Sequence, residues 1–271
     1  MGINQNVSKM MTLVRRGSLP TSEEVVRTAF EELGYGENGP DPKTIRMEFN
    51  DRLAQVFKYT LEVLERFEEQ TYLEGVPNEL IKMKPDAFEK AAKIIKDSID
   101  EAAGIREAFK SLFTDLYPLL RRVFLSISNS RKSRGGRDFE LQFGALLEQA
   151  GVTYQKIDRQ TRTDFMVPCD DVFNKNPNDA LVLSAKRTLR ERWREVAEEL
   201  FDLRSPNVYL ITADENITTG HVEGICGRYR MHLVVWDHIK NTKFPEDSRV
   251  ISYSQLSQDV IESFERRWNN Q

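Results

Sequence analysis

Hydrophobic spacing changes character near Arg131, and that change limits the folds open to the chain. Before it, apolar residues recur at helical intervals. Thr21-Ser22-Glu23-Glu24 has the form of a capping box, with Val25, Val26, Ala29, Phe30 and Leu33 facing inward behind it. A longer run follows Asp41-Pro42, with Ile45, Phe49, Leu53, Val56, Phe57, Leu61 and Leu64 on one stripe to about Gln70. Further helices are expected from Pro85 to Gly104 and from Ile105 to Ser128, the latter with a kink at Pro118. Residues 1–20 read as a loose arm. Residues 133–137 read as a glycine-containing basic loop, after which Asp138 caps a helix ending at Gly151.

Beyond that point the apolar runs are short: Val152–Ile157, Phe165–Val167, Ala180–Ala185, Val208–Thr212 and His232–Trp236. Helical pieces at Leu189–Leu203, His221–Tyr229 and Leu256–Trp268 separate several of them. Strands alternating with helices predict an α/β layer. The expected division is a mainly helical region over 1–130 and a core over 131–271.

Charge is high but nearly balanced, at 30% of residues with a net −4. The average hides a basic stripe: Arg121, Arg122, Arg131, Lys132, Arg134 and Arg137 fall in a stretch without an acid. Arg131, Lys132 and Arg134 are expected to meet nucleic-acid phosphates. No apolar run approaches the ~20 residues of a membrane span. The N-terminus has no apolar h-region, and the two cysteines show no paired spacing; both suit a reducing cytoplasm.

Chemistry concentrates between Asp164 and Glu199. Asp164 opens one short apolar run, Lys186 ends the next, and a charged helix starts directly behind the lysine. Phosphodiester hydrolysis needs a metal held by hard oxygens, a nearby water and positive charge. Asp164 and Glu199 are candidates for the oxygens, with the Ala185 carbonyl as a further ligand. Glu140 is a candidate helper from the preceding helix. Lys186 is placed to orient a water. Glu199 lies about 60° from Val196 on a helical wheel, on the flank of the buried stripe; Glu195 is the second choice. On spacing alone, Glu199 reads as a surface charge. Arg190-Glu191-Arg192 opens the same helix, where two arginines oppose the dipole. Arginine forks onto guanine and glutamate accepts from cytosine, which matches major-groove reading of G·C pairs.

The segments Arg131-Lys132-Ser133-Arg134-Gly135-Gly136, Ser184-Ala185-Lys186 and Leu189-Arg190-Glu191-Arg192-Trp193, with Glu140, Asp164 and Glu199, resemble Type II restriction endonucleases of the PD-(D/E)XK superfamily. The likeness is to the branch containing EcoRII, SsoII and PspGI and covers about residues 130–240. In that branch the acid two residues before the lysine is replaced by a glutamate thirteen residues after it. Ser184 and Glu199 reproduce the exchange. Val208–Asn216 resembles the strand and turn that follow. Thr163 departs from the proline often found before the aspartate, and the interval from Glu140 to Asp164 is short for the branch. The resemblance implies a restriction-endonuclease-like core with a mixed sheet and a helical N-terminal part. It also implies Mg²⁺-dependent cleavage of double-stranded DNA at a CCNGG or CCGG type site, leaving 5′-phosphates, by a homodimer or tetramer. Some members flip the central base pair onto an aromatic, for which Phe49, Phe57 and Tyr59 are candidates. Two other readings stay open: a structure-selective nuclease of the same superfamily, and a non-catalytic DNA-binding protein.

Overall fold

The computed structural model describes residues 3–157, 163–189, 193–202 and 205–268. Two compact units are present: residues 1–21 with 61–134, and residues 22–60 with 135–271. Among the described residues, no helix is long and apolar enough to cross a membrane.

Six helices come first: α1 (Ile3–Ser18), α2 (Ser22–Glu32), α3 (Pro42–Met47), α4 (Phe49–Met83), α5 (Pro85–Asp97) and α6 (Glu101–Gln149). The division into units falls inside α4 and α6. In the first unit, Val7, Met10, Met11 and Val14 from α1 pack with Val76 and Leu80 from α4 and with Leu116, Leu119 and Val123 from α6. The loose arm expected over residues 1–20 is therefore corrected to a helix. Val7, Met10, Met11 and Val14 sit at intervals of three, one and three, which is one face of a helix. The expected helix to Gly104 ends at Asp97, where the Asp100 carboxylate accepts from the N–H groups of Ala102 and Ala103 and starts α6.

The basic loop expected over 133–137 is likewise corrected. α6 runs through it without a break, so Asp138 lies mid-helix and caps nothing. Gly135 explains the misleading signal. A side chain there would overlap the Arg187 guanidinium, so the glycine leaves space for a neighbour instead of marking a turn.

The second unit is built on a six-stranded sheet in sequential order, β1 (Gln155–Lys156), β2 (Phe165–Val167), β3 (Leu181–Lys186), β4 (Val208–Thr212), β5 (His232–Val235) and β6 (Val250–Ser252). β1, β2 and β3 pair antiparallel, while β3 through β6 run parallel. β4 is buried along its whole length, as near-continuous apolar character in a parallel strand requires. Helices α7 (Asp170–Lys175), α8 (Trp193–Phe201), α9 (Thr219–Val222) and α10 (Asp237–Lys243) connect the strands. A π-helical turn, Glu223–Arg228, extends α9, and α11 (Tyr253–Gln255) and α12 (Glu262–Trp268) close the chain. β6 and α10 were not expected. β6 offers only two apolar residues, and α10 buries only Ile239 and Lys240, so neither leaves a periodic pattern. The sheet core joins Phe49, Leu53 and Val56 of α4 to Phe139, Phe143, Leu146 and Leu147 of α6, and Phe143 meets Phe165 at 5.7 Å between ring centroids.

Candidate active site

Asp164 immediately precedes β2. Its N–H donates to the Leu183 carbonyl (3.1 Å), and its own carbonyl accepts from Ile157 N–H (3.1 Å). These bonds place the Asp164 side chain beside the C-terminal half of β3. There one oxygen, Oδ2, accepts three hydrogen bonds: from Ser184 Oγ (3.1 Å), Ala185 N (2.7 Å) and Lys186 Nζ (2.8 Å). Among the described residues no donor reaches Oδ1. Ser184 is fully buried. It orients Asp164 and adds no charge.

Lys186 ends β3 and bridges two carboxylates. Its ammonium lies 2.8 Å from Asp164 Oδ2 and 3.2 Å from Oε1 of Glu140 on α6. The three side chains are 21%, 16% and 31% exposed, so the group is partly withdrawn from water yet reachable. Burial raises the Glu140 carboxyl above its ordinary value, and the negative charge of Asp164 adds to the rise, while Lys186 opposes it. The two carboxylates thus repel across a single cation.

Two carboxylates aimed at one point, one with an oxygen to which no described residue donates, make a donor set that fits a hard divalent ion such as Mg²⁺. The charge that holds them together in this structure is the ammonium. Glu199 lies on the exposed side of α8, flanking buried Val196, Ala197 and Leu200, as does Glu195. Glu198, between them in sequence, accepts from Tyr229 Oη at 2.9 Å. Among the described residues no group of three or more His, Cys, Asp or Glu is gathered as for a metal. The pair around Lys186 is accordingly Asp164 with Glu140.

Arg190, Glu191 and Arg192 fall outside the described residues; α8 begins at Trp193. The basic residues on α6 are largely engaged. Arg131 forms ion pairs with Glu68 (2.5 Å) and Glu65 (3.2 Å), and Arg134 donates to the Pro20 carbonyl (2.6 Å). Arg137 pairs with Glu23. Lys132 is exposed. Of the candidate stacking aromatics, Phe49 is fully buried and Phe57 packs among Phe139, Trp236 and the Arg187 guanidinium. Tyr59 donates its hydroxyl to Glu32.

Sequence reasoning overlooked Arg187 and Asp214. Arg187 stacks 5.3 Å above Phe57 next to Lys186. Asp214, two residues beyond β4, accepts from Leu189 N–H at 2.9 Å. The glycine pair on α6 was the available signal for the first. The Asx-type pattern Asp214-Glu215-Asn216 was the signal for the second.

The fold has solved counterparts. Metal-depleted Ecl18kI in complex with uncleaved, modified DNA aligns with a TM-score of 0.81 at 22% identity, covering 100% of this chain and 87% of that one. The complex of restriction endonuclease PspGI with substrate DNA aligns with a TM-score of 0.58 at 20% identity, covering 92% and 94%. In sequence, the Type II restriction enzyme SsoII of Shigella sonnei is 32% identical over 172 residues, 58% of this chain and 55% of that protein. The chain thus spans about half the length of this curated relative. A family model described as EcoRII C terminal matches residues 98–256, a span that holds Glu140, Asp164, Lys186 and the sheet through β6. The chain belongs to the EcoRII C-terminal family.

Proposed function

We propose that the chain is a Type II restriction endonuclease, hydrolysing double-stranded DNA at a short G·C-rich palindrome of CCNGG or CCGG type and leaving 5′-phosphates. The observation that carries this reading is the Lys186 ammonium held between Asp164 and Glu140 at the end of β3, in a fold shared with nucleases solved on DNA. In this reading Asp164 and Glu140 hold Mg²⁺ with the Ala185 carbonyl, and Glu199 adds a ligand from α8. When bound, the ion supplies Lewis acidity at the scissile phosphate and lowers the pKa of its water. Lys186 orients the attacking water and offsets the charge that develops on the phosphate oxygens. Ser184 and the Ala185 N–H keep Asp164 aimed. Arg190, Glu191 and Arg192 read G·C pairs in the major groove, each good bidentate contact contributing about 1–3 kcal/mol of discrimination. Lys132, and Arg131 and Arg134 once released from their present partners, contact phosphates. The enzyme acts in the cytoplasm.

Cutting two antiparallel strands of a palindrome calls for a two-fold homodimer. An exposed stripe on the first half of α6 supports one. Phe109, Phe113, Tyr117 and Phe124 are 68%, 48%, 53% and 65% exposed. Taking 150–250 Å² per aromatic side chain, they present roughly 450 Å² of apolar surface. That is close to the apolar share of the ~800 Å² each partner contributes to a standard interface. Tetramers would form from pairs of such dimers.

Phage DNA incubated with Mg²⁺ or with Ca²⁺ tests the reading. Discrete bands in Mg²⁺ alone support it, and sequencing the ends gives site and overhang. Smears or cutting confined to branched DNA point to a structure-selective nuclease. Binding without cutting in either ion removes the enzymatic assignment.

A further inference from the structure

Lys186 and Arg187 are consecutive, yet their charges are used differently. Lys186 is committed to Asp164 and Glu140, at 2.8 and 3.2 Å. Arg187 directly follows β3 and is half-buried. Among the described residues no acid pairs with it and no hydrogen bond holds it. That sets it apart from Arg46, Arg131, Arg137 and Arg249, each of which meets a carboxylate.

An aromatic face and a gap hold Arg187 instead. Its guanidinium carbon lies 5.3 Å from the Phe57 ring centroid. Phe57 is itself fixed by Phe139 and Trp236, edge-on at 6.1 and 6.3 Å between centroids. On α6, Gly135 leaves the space that the guanidinium occupies: a Cβ there would overlap Nη1 and come within 3.1 Å of Cζ. Stacking on a ring neither cancels the charge nor consumes the N–H donors, which lie in the guanidinium plane. The side chain is therefore ordered on folding while its fork of donors meets no acceptor among the described residues. Gly135 and Glu140 are five residues apart on α6, about 7.5 Å along its axis. The helix that brings a carboxylate to Lys186 thus also makes room for Arg187.

We propose that Arg187 is a phosphate-binding residue at the cleavage site, whose guanidinium grips the DNA backbone beside the phosphodiester that is cut. The inference rests on the reading that Lys186 marks a DNA-cleaving site. A planar fork of donors matches two oxygens of one phosphate. Ordered in advance by Phe57, it loses little freedom when the backbone arrives. Lys186 does not fill this role, because its ammonium is committed to the two carboxylates. Arg187 holds the strand in place while Lys186 acts on the water.

The test is binding in Ca²⁺ to duplexes carrying the site read from the cut ends, with single phosphates around the cut replaced in turn by uncharged methylphosphonates. For the native chain, one such replacement beside the cut is expected to lower affinity about tenfold, the size of one charge-assisted contact. Arg187→Gln, which keeps a planar polar end without charge, should be blind to that replacement while feeling the others. Its logarithmic dependence of affinity on salt should be shallower by about one. Gly135→Ala leaves the arginine in place but fills its seat, and should blunt the response to the same replacement. Only the end of a flexible side chain has to move, so this variant decides should Arg187→Gln not fold. An Arg187→Gln protein that responds to every replacement as the native chain does overturns the assignment. So does an equal loss of affinity across all duplexes with an unchanged salt slope, the mark of a merely structural role. Cleavage of phage DNA in Mg²⁺ by the native chain is run beside these measurements. If the native chain cuts and Arg187→Gln keeps the native profile, Arg187 fails and the nuclease reading stands. If the native chain does not cut, the nuclease reading fails and this assignment with it.

Discussion

Lys186 is the residue on which the site turns, because among the described residues it alone touches both Asp164 and Glu140. Lys186→Ala is expected to lower the cleavage rate by about 10²–10⁴-fold, the range a positioned proton-handling group contributes. DNA affinity in Ca²⁺ should be retained; a variant that still cuts at the native rate removes the role. Away from the site, His232 gives a pH-dependent signature. It sits in β5 stacked on Tyr209 at 4.7 Å, and its Nδ1 is buried with no hydrogen-bond partner among the described residues. Burial lowers its pKa below the ordinary imidazole value, against a smaller opposing contribution from the Arg249 main chain. The folded state therefore favours neutral His232. Its contribution is present above the unfolded pKa of about 6.5 and is lost as pH falls through the lowered folded value. His232→Phe keeps the stack and removes the titration. Melting temperatures of the variant should fall less steeply than those of the native protein as pH drops below about 6.5.

At the scale of elements, the contact between α6 and β2 sets where Asp164 points. Gly144 of α6 faces Phe165, the residue after Asp164. A Cβ there would lie 2.8 Å from Phe165 Cε1 and 3.1 Å from the Tyr154 hydroxyl. Gly144→Ala gains about 1 kcal/mol of helix propensity and meets an overpacking cost of about 1–3 kcal/mol. The net is a destabilisation of about 0–2 kcal/mol, so melting should fall by a few degrees. Cleavage should fall by tenfold or more because β2 must shift; a full-rate variant would show that the aspartate tolerates the movement. The strands beside Asp164 and Lys186 were legible because each is a short apolar run with a charge at one end, Asp164 directly before β2 and Lys186 at the end of β3. β3 and β4 were legible for the same reason that they are buried. α6 was not, because Gly135 and Gly136 are read from sequence as turn residues, whereas here a glycine serves the approach of Arg187. The partnership of Glu140 with Lys186 spans 46 residues, and no local spacing encodes it. The seating of Glu140 depends on α6 continuing unbroken to Gln149.

For the whole molecule, assembly is the property most open to test. Phe113 stacks on Phe109 at 6.2 Å and tilts against Tyr117 at 5.9 Å, in the middle of the exposed aromatic stripe. Phe113→Asp places a charge there and is expected to weaken self-association by about 2 kcal/mol or more, roughly thirtyfold in the dimer constant. If the proposed dimer forms, sedimentation should then show monomer at concentrations where the unsubstituted chain associates, and cleavage of both strands should become concentration-dependent. An unchanged association state would move the interface elsewhere. The balance of the sequence, net −4 over 271 residues, concealed such surfaces, because a net charge says nothing of where charges and rings are grouped. Sequence placed the alternation of strands and helices after residue 131 well. It had no means of placing residues 22–60 with the sheet, since the affinity of Phe49, Leu53 and Val56 for Phe139 and Phe143 is a property of the packed core.

The ammonium that spans Asp164 and Glu140 is also an internal counter-ion. It neutralises the same carboxylates that a divalent cation would seek, so under the proposed function the lysine would compete with the ion, which should bind weakly until DNA phosphate joins the coordination. Lys186→Met, which keeps the length of the side chain without its charge, ought then to bind Mn²⁺ more tightly than the native protein in calorimetry without DNA. Equal affinity would mean that the lysine does not guard the site. Under the proposed function, a site muzzled in this way would stay idle wherever no substrate strand lies across it.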